Sequence, residues 1–245
     1  MGTFHLEILP QPDDETCGAT CLHAIYKYYG ETVDLPELIT EVPRLETGGT
    51  LAVMLGINAL LKGYKATIYT YNLRVFDPTW FRKGVDLAAK LKMQLEYKSQ
   101  PKIQYATKAY LKYLRLGGEI RFHELNRPLL RKYLDKHIPV LTGLNATYLY
   151  RWSREFDNEF DDMRGTSMGH FVVLSGYNKK TRKVSISDPL LSNPFSNQAY
   201  EVKIDRVINS IMLGILTYDA NFLVIEKQEQ EKETEHDENS GSEQA

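Results

Sequence analysis

From Cys17 onward apolar residues recur at helical spacing, with Leu22, Ile25 and Tyr29 on one face, and the pattern predicts a helix over Cys17–Tyr29. Thr16 stands where a side chain caps such a helix, and Gly30 where a left-handed turn ends it. A short helix near Leu35–Glu41 follows, then a helix capped by Thr50 and ended at Gly63, then a strand Lys65–Tyr71 rich in Thr, Ile and Tyr. The middle reads as mostly helical, with Thr79–Glu96 and Ile103–Leu116, the latter closed by Gly117. Glu119–Phe122 reads as a short strand, Asn126 caps a helix running to Lys136, and Ile138–Leu144 returns as a strand. In the last third the pattern turns to strands. His170–Tyr177 and Lys183–Asp188 flank the polar loop Asn178-Lys179-Lys180-Thr181 as a hairpin, and Tyr200–Ile204 and Asn221–Glu226 are strands around a helix near Asp205–Leu213. Helices first and antiparallel strands later predict an α+β fold rather than an alternating doubly wound one.

Composition narrows the class. At 42% hydrophobic and 25% charged residues the chain is an ordinary globular protein, which excludes fibrous and wholly disordered classes. Residues 227–245 hold seven acids against Lys227 and Lys232, and carry no aliphatic or aromatic residue but Ala245. Such a segment cannot bury enough surface to offset its ordering entropy, so a disordered acidic tail is expected there. Residues 1–226 are expected to form one domain. That body has a net charge of +3 against −2 for the whole chain, too little to favour nucleic acid or an anionic membrane. The run Leu51–Leu61 is far short of the roughly 18 to 20 apolar residues that cross a bilayer, and the N-terminus has no basic segment leading into an apolar core. A cytoplasmic protein without membrane contact is expected.

Candidate chemistry begins at Gln11-Pro12-Asp13-Asp14-Glu15-Thr16-Cys17-Gly18. Cys17 falls on the first turn of its helix, where unpaired backbone N–H groups and the helix dipole favour a thiolate. Gly18 leaves room for a substrate backbone. The Gln11 amide, six residues earlier, is placed to join the Cys17 N–H in binding an oxyanion. Alone, this segment fits equally a helix with two buried cysteines, Cys17 and Cys21. The strand Gly169-His170-Phe171-Val172-Val173-Leu174 favours the reactive reading, because the hairpin that follows brings its start next to Ser187-Asp188-Pro189. His170 then meets Asp188, which orients the imidazole, and His170 pairs with Cys17 as base and later as acid.

These residues resemble the bacteriocin-processing, double-glycine-leader cysteine peptidases, which have the papain-like fold. The resemblance rests on Gln11, on Cys17-Gly18 with the helix into Tyr28-Tyr29-Gly30, and on the Gly49-Thr50 helix leading to Gly63-Tyr64. It rests further on Gly169-His170 with its apolar strand and on Asp188-Pro189. It implies Cys17 as nucleophile, His170 as general base, Asp188 as its orienting partner and Gln11 as oxyanion-hole amide. The match spans residues 5–71 and 165–192, and leaves 72–165 as an unassigned, mostly helical insertion. Family members fused to exporters carry membrane helices and an ATPase after this domain. None follows in this sequence, so the expectation is a stand-alone processing peptidase, an amidase, or an acyl transferase working through the same thioester on a peptide or protein substrate. A non-catalytic peptide-binding module of the same fold is the alternative from another class.

Other signals are weaker. Cys21 and Cys17 lack two further ligands for a zinc site, and His5, His23, His123, His137 and His236 show no paired metal-ligand spacing, so no metal is expected. Cys21 reads as core packing beside Ile25. Tyr and Lys alternate from Tyr97 to Arg115 as in nucleic-acid surfaces, yet they also fit an amphipathic helix with lysines in water, the reading preferred here. The acidic stretch 155–162 lacks the central Gly and distal Glu of a calcium loop and reads as a solvated lid loop near the His170 strand. No phosphate-cradling Gly-rich motif is present, so no nucleotide cofactor is expected, and the thioester mechanism needs none.

Overall fold

The computed structural model describes residues 4, 6–46, 48–217 and 220–228. The acidic tail expected from residue 227 lies, from residue 229 on, outside the described residues, and Lys227 itself closes the last strand.

Three helices, α1 (Cys17–Tyr28), α2 (Leu35–Glu41) and α3 (Ala52–Leu61), precede strand β1 (Tyr64–Thr70). Then come α4 (Leu87–Tyr97), α5 (Pro101–Arg115), β2 (Glu119–Arg121), α6 (Arg127–Leu134), β3 (Val140–Asn145) and α7 (Ala146–Tyr150). A small hairpin, β4 (Glu155–Phe156) and β5 (Glu159–Phe160), leads into β6 (Gly169–Asn178), β7 (Lys183–Ser187), β8 (Ala199–Lys203), α8 (Ile204–Leu213) and β9 (Asn221–Lys227). Seven strands form one sheet in the order β2-β1-β9-β3-β6-β7-β8, antiparallel apart from the β1–β2 pair.

Strand alternation divides the interior into two cores. Leu141, Phe171, Val173, Leu223 and Ile225 face α1, α3 and α5. Val140, Val172, Leu174, Ile186, Phe222 and Val224 face α6, α7 and α8. Segment 72–165 is built into this body. It supplies β3, which pairs with β6 on one side and β9 on the other, and α5, whose Ala106, Ala109, Tyr110 and Tyr113 are buried. The lysine- and tyrosine-rich stretch is thus an amphipathic helix whose apolar stripe packs inward.

Several local expectations need correction. Thr16 does not cap α1: its hydroxyl donates to the Asp13 carbonyl at 3.1 Å, closing the turn before the helix. Thr50 is likewise turned away from α3, donating to the Pro43 carbonyl at 2.8 Å, and Leu51 is the residue before the helix. The single helix expected over 79–96 is broken. A 3₁₀ turn at Pro78–Phe81 stops short, Gly84 takes a positive φ, and Asp86 starts α4 by accepting from the Ala89 N–H at 3.0 Å. The stretch 155–162 is a hairpin turned at Asp157-Asn158, both with positive φ, rather than an open loop. α7 was not foreseen. It is only five residues long, started by Asn145 and stopped at Arg151 with φ 60°, too short to leave a periodic signal.

Candidate active site

Cys17 is the first residue of α1 and is 8% exposed. In an α-helix the first N–H groups have no intrahelical acceptor, so they converge on the region around this thiol. α1 is held against the sheet by close packing at Gly18. A Cβ there would lie 2.7 Å from Thr50 Cγ2, 3.2 Å from Phe171 Cδ2 and 3.3 Å from Leu55 Cδ1. Gly18 therefore faces the core, and the expectation that its small size serves substrate approach is corrected: it lets the helix seat on α3 and β6.

His170, second residue of β6, is 8% exposed. Its Nε2 lies 2.8 Å from Asp188 Oδ1, and Cys17 is close enough to the same ring to act on its charge. A carboxylate only accepts, so Nε2 carries a proton and Nδ1 is the nitrogen left for the thiol. Cys17, His170 and Asp188 thus form a line with the imidazole in the middle.

A bulge in the β6–β7 ladder makes the His170–Asp188 pair possible. At its closed end Gly176 opposes Ser185, whereas beyond Ser175 Leu174 opposes Ile186 and Val173 opposes Ser187. Extended by one residue, this register puts Asp188 across from Val172, on the face that carries His170 and Leu174. Without the extra residue that face would carry Ser187 instead. A regular hairpin from the loop expected at 178–181 would also put Asp188 on the wrong face, so the pairing was anticipated but its register was not.

Asp188 is fully buried and accepts four hydrogen bonds. Oδ1 takes His170 Nε2 and the Leu190 N–H at 2.9 Å, and Oδ2 takes the hydroxyls of Tyr150 and Tyr200, each at 2.6 Å. The ring of Phe195 stacks on Tyr200 at 3.9 Å and meets Tyr150 edge-on at 6.4 Å, enclosing the carboxylate in aromatic carbon. Burial works to raise the Asp188 pKa, but His170 and the two phenols hold it below the usual carboxylate range. Burial likewise works to lower that of His170, and the Asp188 carboxylate, with Cys17 on the other side, pushes it up to about 10. The two tyrosines carried no sequence signal: Tyr150 ends the unforeseen α7, and Tyr200 sits on β8, facing Asp188 only because of the strand register.

Gln11 is tied to the same corner, its N–H donating to the Pro189 carbonyl at 3.0 Å. Its side-chain Nε2 donates to the Asp13 carbonyl at 3.0 Å, leaving a second hydrogen on that nitrogen, and its Oε1 is buried without a protein partner. Cys21 is fully buried, with Sγ donating to the Phe171 carbonyl at 3.3 Å, and burial followed by nearby Cys17 and Asp188 pushes its thiol pKa up. It is a core residue.

Two cavities open beside the imidazole. The larger, about 540 Å³, is lined by Cys17 and His170 together with Gly48, Gly49, Gly143 and Lys102 of α5. The smaller, about 370 Å³, is lined by His170, Gln11, Tyr150 and Trp152. Among the described residues no cluster of three or more His, Cys, Asp or Glu is arranged to hold a metal ion, and no helix is long and apolar enough to cross a membrane.

Comparison with curated proteins found no match. Among solved structures, a protein from Bacillus anthracis described as C39-like is 16% identical and aligns over 92% of this chain and 96% of its own with a TM-score of 0.50, a likeness of fold. The peptidase domain of Streptococcus ComA, a bifunctional ABC transporter of a quorum-sensing pathway, is 14% identical over 91% of this chain and 100% of its own, with a TM-score of 0.46. A double-glycine-motif protease solved with its leader peptide is 14% identical over 93% and 95%, with a TM-score of 0.45. The model of the Peptidase_C39 like family matches residues 5–206, which include the helix of Cys17, the strand of His170 and the Asp188 corner, and the chain is a member of that papain-like family.

Proposed function

We propose that the protein is a cysteine peptidase or related amide-bond hydrolase acting on a peptide or protein substrate. The observation that carries this reading is the buried line Cys17, His170, Asp188 opening onto a cleft, with the thiol at a helix N-terminus. Cys17 as thiolate attacks the carbonyl carbon, and His170 as imidazolium gives its proton to the leaving amine. The resulting thioester is then attacked by water, whose proton His170 accepts, and Cys17 leaves as thiolate. Gln11 Nε2 and the Cys17 N–H serve the oxyanion, and Asp188 orients and stabilises the imidazolium. A peptide-binding module would not need an imidazole poised between a thiol and a carboxylate held by four donors. In the same reading residues 1–226 act as one catalytic domain, with 72–165 shaping its cleft through Lys102 and Trp152, and the tail from 227 plays no part in the chemistry.

The test is cleavage of a proteome-derived peptide library read by mass spectrometry. The parent protein and Cys21→Ser should generate the same new termini, and Cys17→Ala should generate none. Cleavage that survives Cys17→Ala, or its absence from the parent, refutes the proposal.

A further inference from the structure

The chemistry just proposed fixes where the two halves of a substrate go, and the smaller cavity has a character of its own. His170, Gly169 and Asp14 line both cavities, but Cys17 lines only the larger one. The smaller cavity therefore opens beside the imidazole without reaching the thiol. A leaving amine receives its proton from His170 Nδ1, the nitrogen on the thiol side, so the residue that departs with it runs past the imidazole and away from the acyl group, toward this cavity.

One wall there is aromatic and partly uncovered, alongside the polar side chains of Gln11, Asn158 and Ser192. Trp152 is half-buried between Tyr150, with ring centroids 4.7 Å apart, and Phe160, 5.2 Å away. Phe160 is 61% exposed, presented by the tight turn of the β4–β5 hairpin, and Met168 and Leu190 continue the surface toward His170. The charged side chains lining it besides the imidazole are the carboxylates Asp14 and Glu155. Resting on the proposed amide-bond chemistry, we infer that this cavity is the leaving-group subsite and that it selects a bulky apolar residue, best an aromatic one, directly C-terminal to the scissile bond. An aromatic side chain fits against Trp152 and Phe160 by ring contact, whereas an acidic one meets two carboxylates.

Microscopic reversibility gives a direct test, because an amine that intercepts the acyl-enzyme binds where the leaving amine departed. Cys17 is acylated with the p-nitrophenyl ester of N-acetylglycine, and nitrophenol release reports acylation. The thioester then partitions between water and an added amino acid amide. In aminolysis the amine nitrogen bonds to the carbonyl carbon, the C–S bond breaks, the amine proton passes to His170, and Cys17 leaves as thiolate. The ratio of N-acetylglycyl amide to N-acetylglycine, corrected for the reaction with Cys17→Ala protein, is measured for the amides of Phe, Gly, Arg and Asp at equal concentration.

The expected order is Phe well above Gly, by roughly tenfold or more, with Asp lowest. Trp152→Ala should bring the Phe/Gly ratio close to one. Phe160→Ser, at an exposed position where folding is not at stake, should lower it several-fold. A Phe/Gly ratio near one in the parent, a preference for Arg or Asp, or a Phe preference untouched by Phe160→Ser overturns the subsite while leaving the peptidase reading intact. No nitrophenol release above the Cys17→Ala level removes the peptidase reading itself, and the subsite with it.

Discussion

His170 and Asp188 share a face of the sheet because Ser175 is inserted between them in the β6–β7 ladder. Asp188 contributes both direction and charge to that pair. Asp188→Asn keeps an acceptor for the Nε2 proton but removes the charge that outweighs burial at His170. It should therefore slow alkylation of Cys17 by iodoacetamide at pH 6 at least tenfold, with an unchanged circular dichroism spectrum, since one unit of imidazole pKa changes a protonation ratio about tenfold.

Tyr150 and Tyr200 both donate to Asp188 Oδ2, so each depends on the other to satisfy a fully buried carboxylate. A hydrogen bond to a charged group contributes about 1.5–3 kcal/mol, and groups sharing one acceptor are not additive. Tyr150→Phe and Tyr200→Phe should each lower stability to urea by an amount of that order. The double variant should lose more than the sum of the two, because the last donor on Oδ2 goes with it. Strict additivity in the double-mutant cycle would mean that the two phenols are not coupled through the carboxylate.

The same buried pair makes stability depend on pH with a definite sign. His170 has its folded pKa raised to about 10, so its contribution is complete below the unfolded value of about 6.5 and is lost as pH rises from there toward 10. Asp188 is depressed, so its contribution is complete above its unfolded value of about 3.9 and is lost as pH falls toward the folded one. Urea midpoints of the parent should be highest between about pH 5 and 6.5 and should fall from pH 7 to 9.5 more steeply than those of His170→Ala. Parallel profiles for the two proteins would contradict the assignment of the alkaline loss to His170.

How far the chain can be read without coordinates differs from residue to residue. Leu35–Glu41 was placed as found, since Asp34, Pro36 and the apolar spacing all mark it. Cys17, His170 and Asp188 were legible as residue types beside strand and helix ends. Their juxtaposition was only partly so, since a bulge of one residue leaves no trace in an apolar run such as Phe171–Leu174. Tyr150, Tyr200, Trp152 and Phe160 were missed because they gain meaning only from long-range packing. Gly18 stands out in the sequence beside Cys17, but its closest neighbours, Thr50 and Phe171, come only from the fold.

The close approach of Gly18 to Thr50 is directly testable. Gly18→Ala puts a methyl 2.7 Å from Thr50 Cγ2, and overpacking of this kind costs about 1–3 kcal/mol. Thr50→Ser removes the opposing methyl and should restore part of the loss in the double variant. If Gly18 served only substrate approach, Gly18→Ala would reduce turnover and leave the urea midpoint where it was.

The central claim of the proposed function is that Cys17 is the nucleophile and that His170 activates it. It is tested most directly by the rate of iodoacetamide alkylation at pH 6, resolved by peptide mass spectrometry into Cys17 and Cys21 and compared with free cysteine. Cys17 should react faster than free cysteine, Cys21 should stay unlabelled in the folded protein, and His170→Ala should bring Cys17 to the rate of free cysteine or below. A parent Cys17 that reacts no faster than free cysteine, at a rate unchanged by His170→Ala, would contradict it.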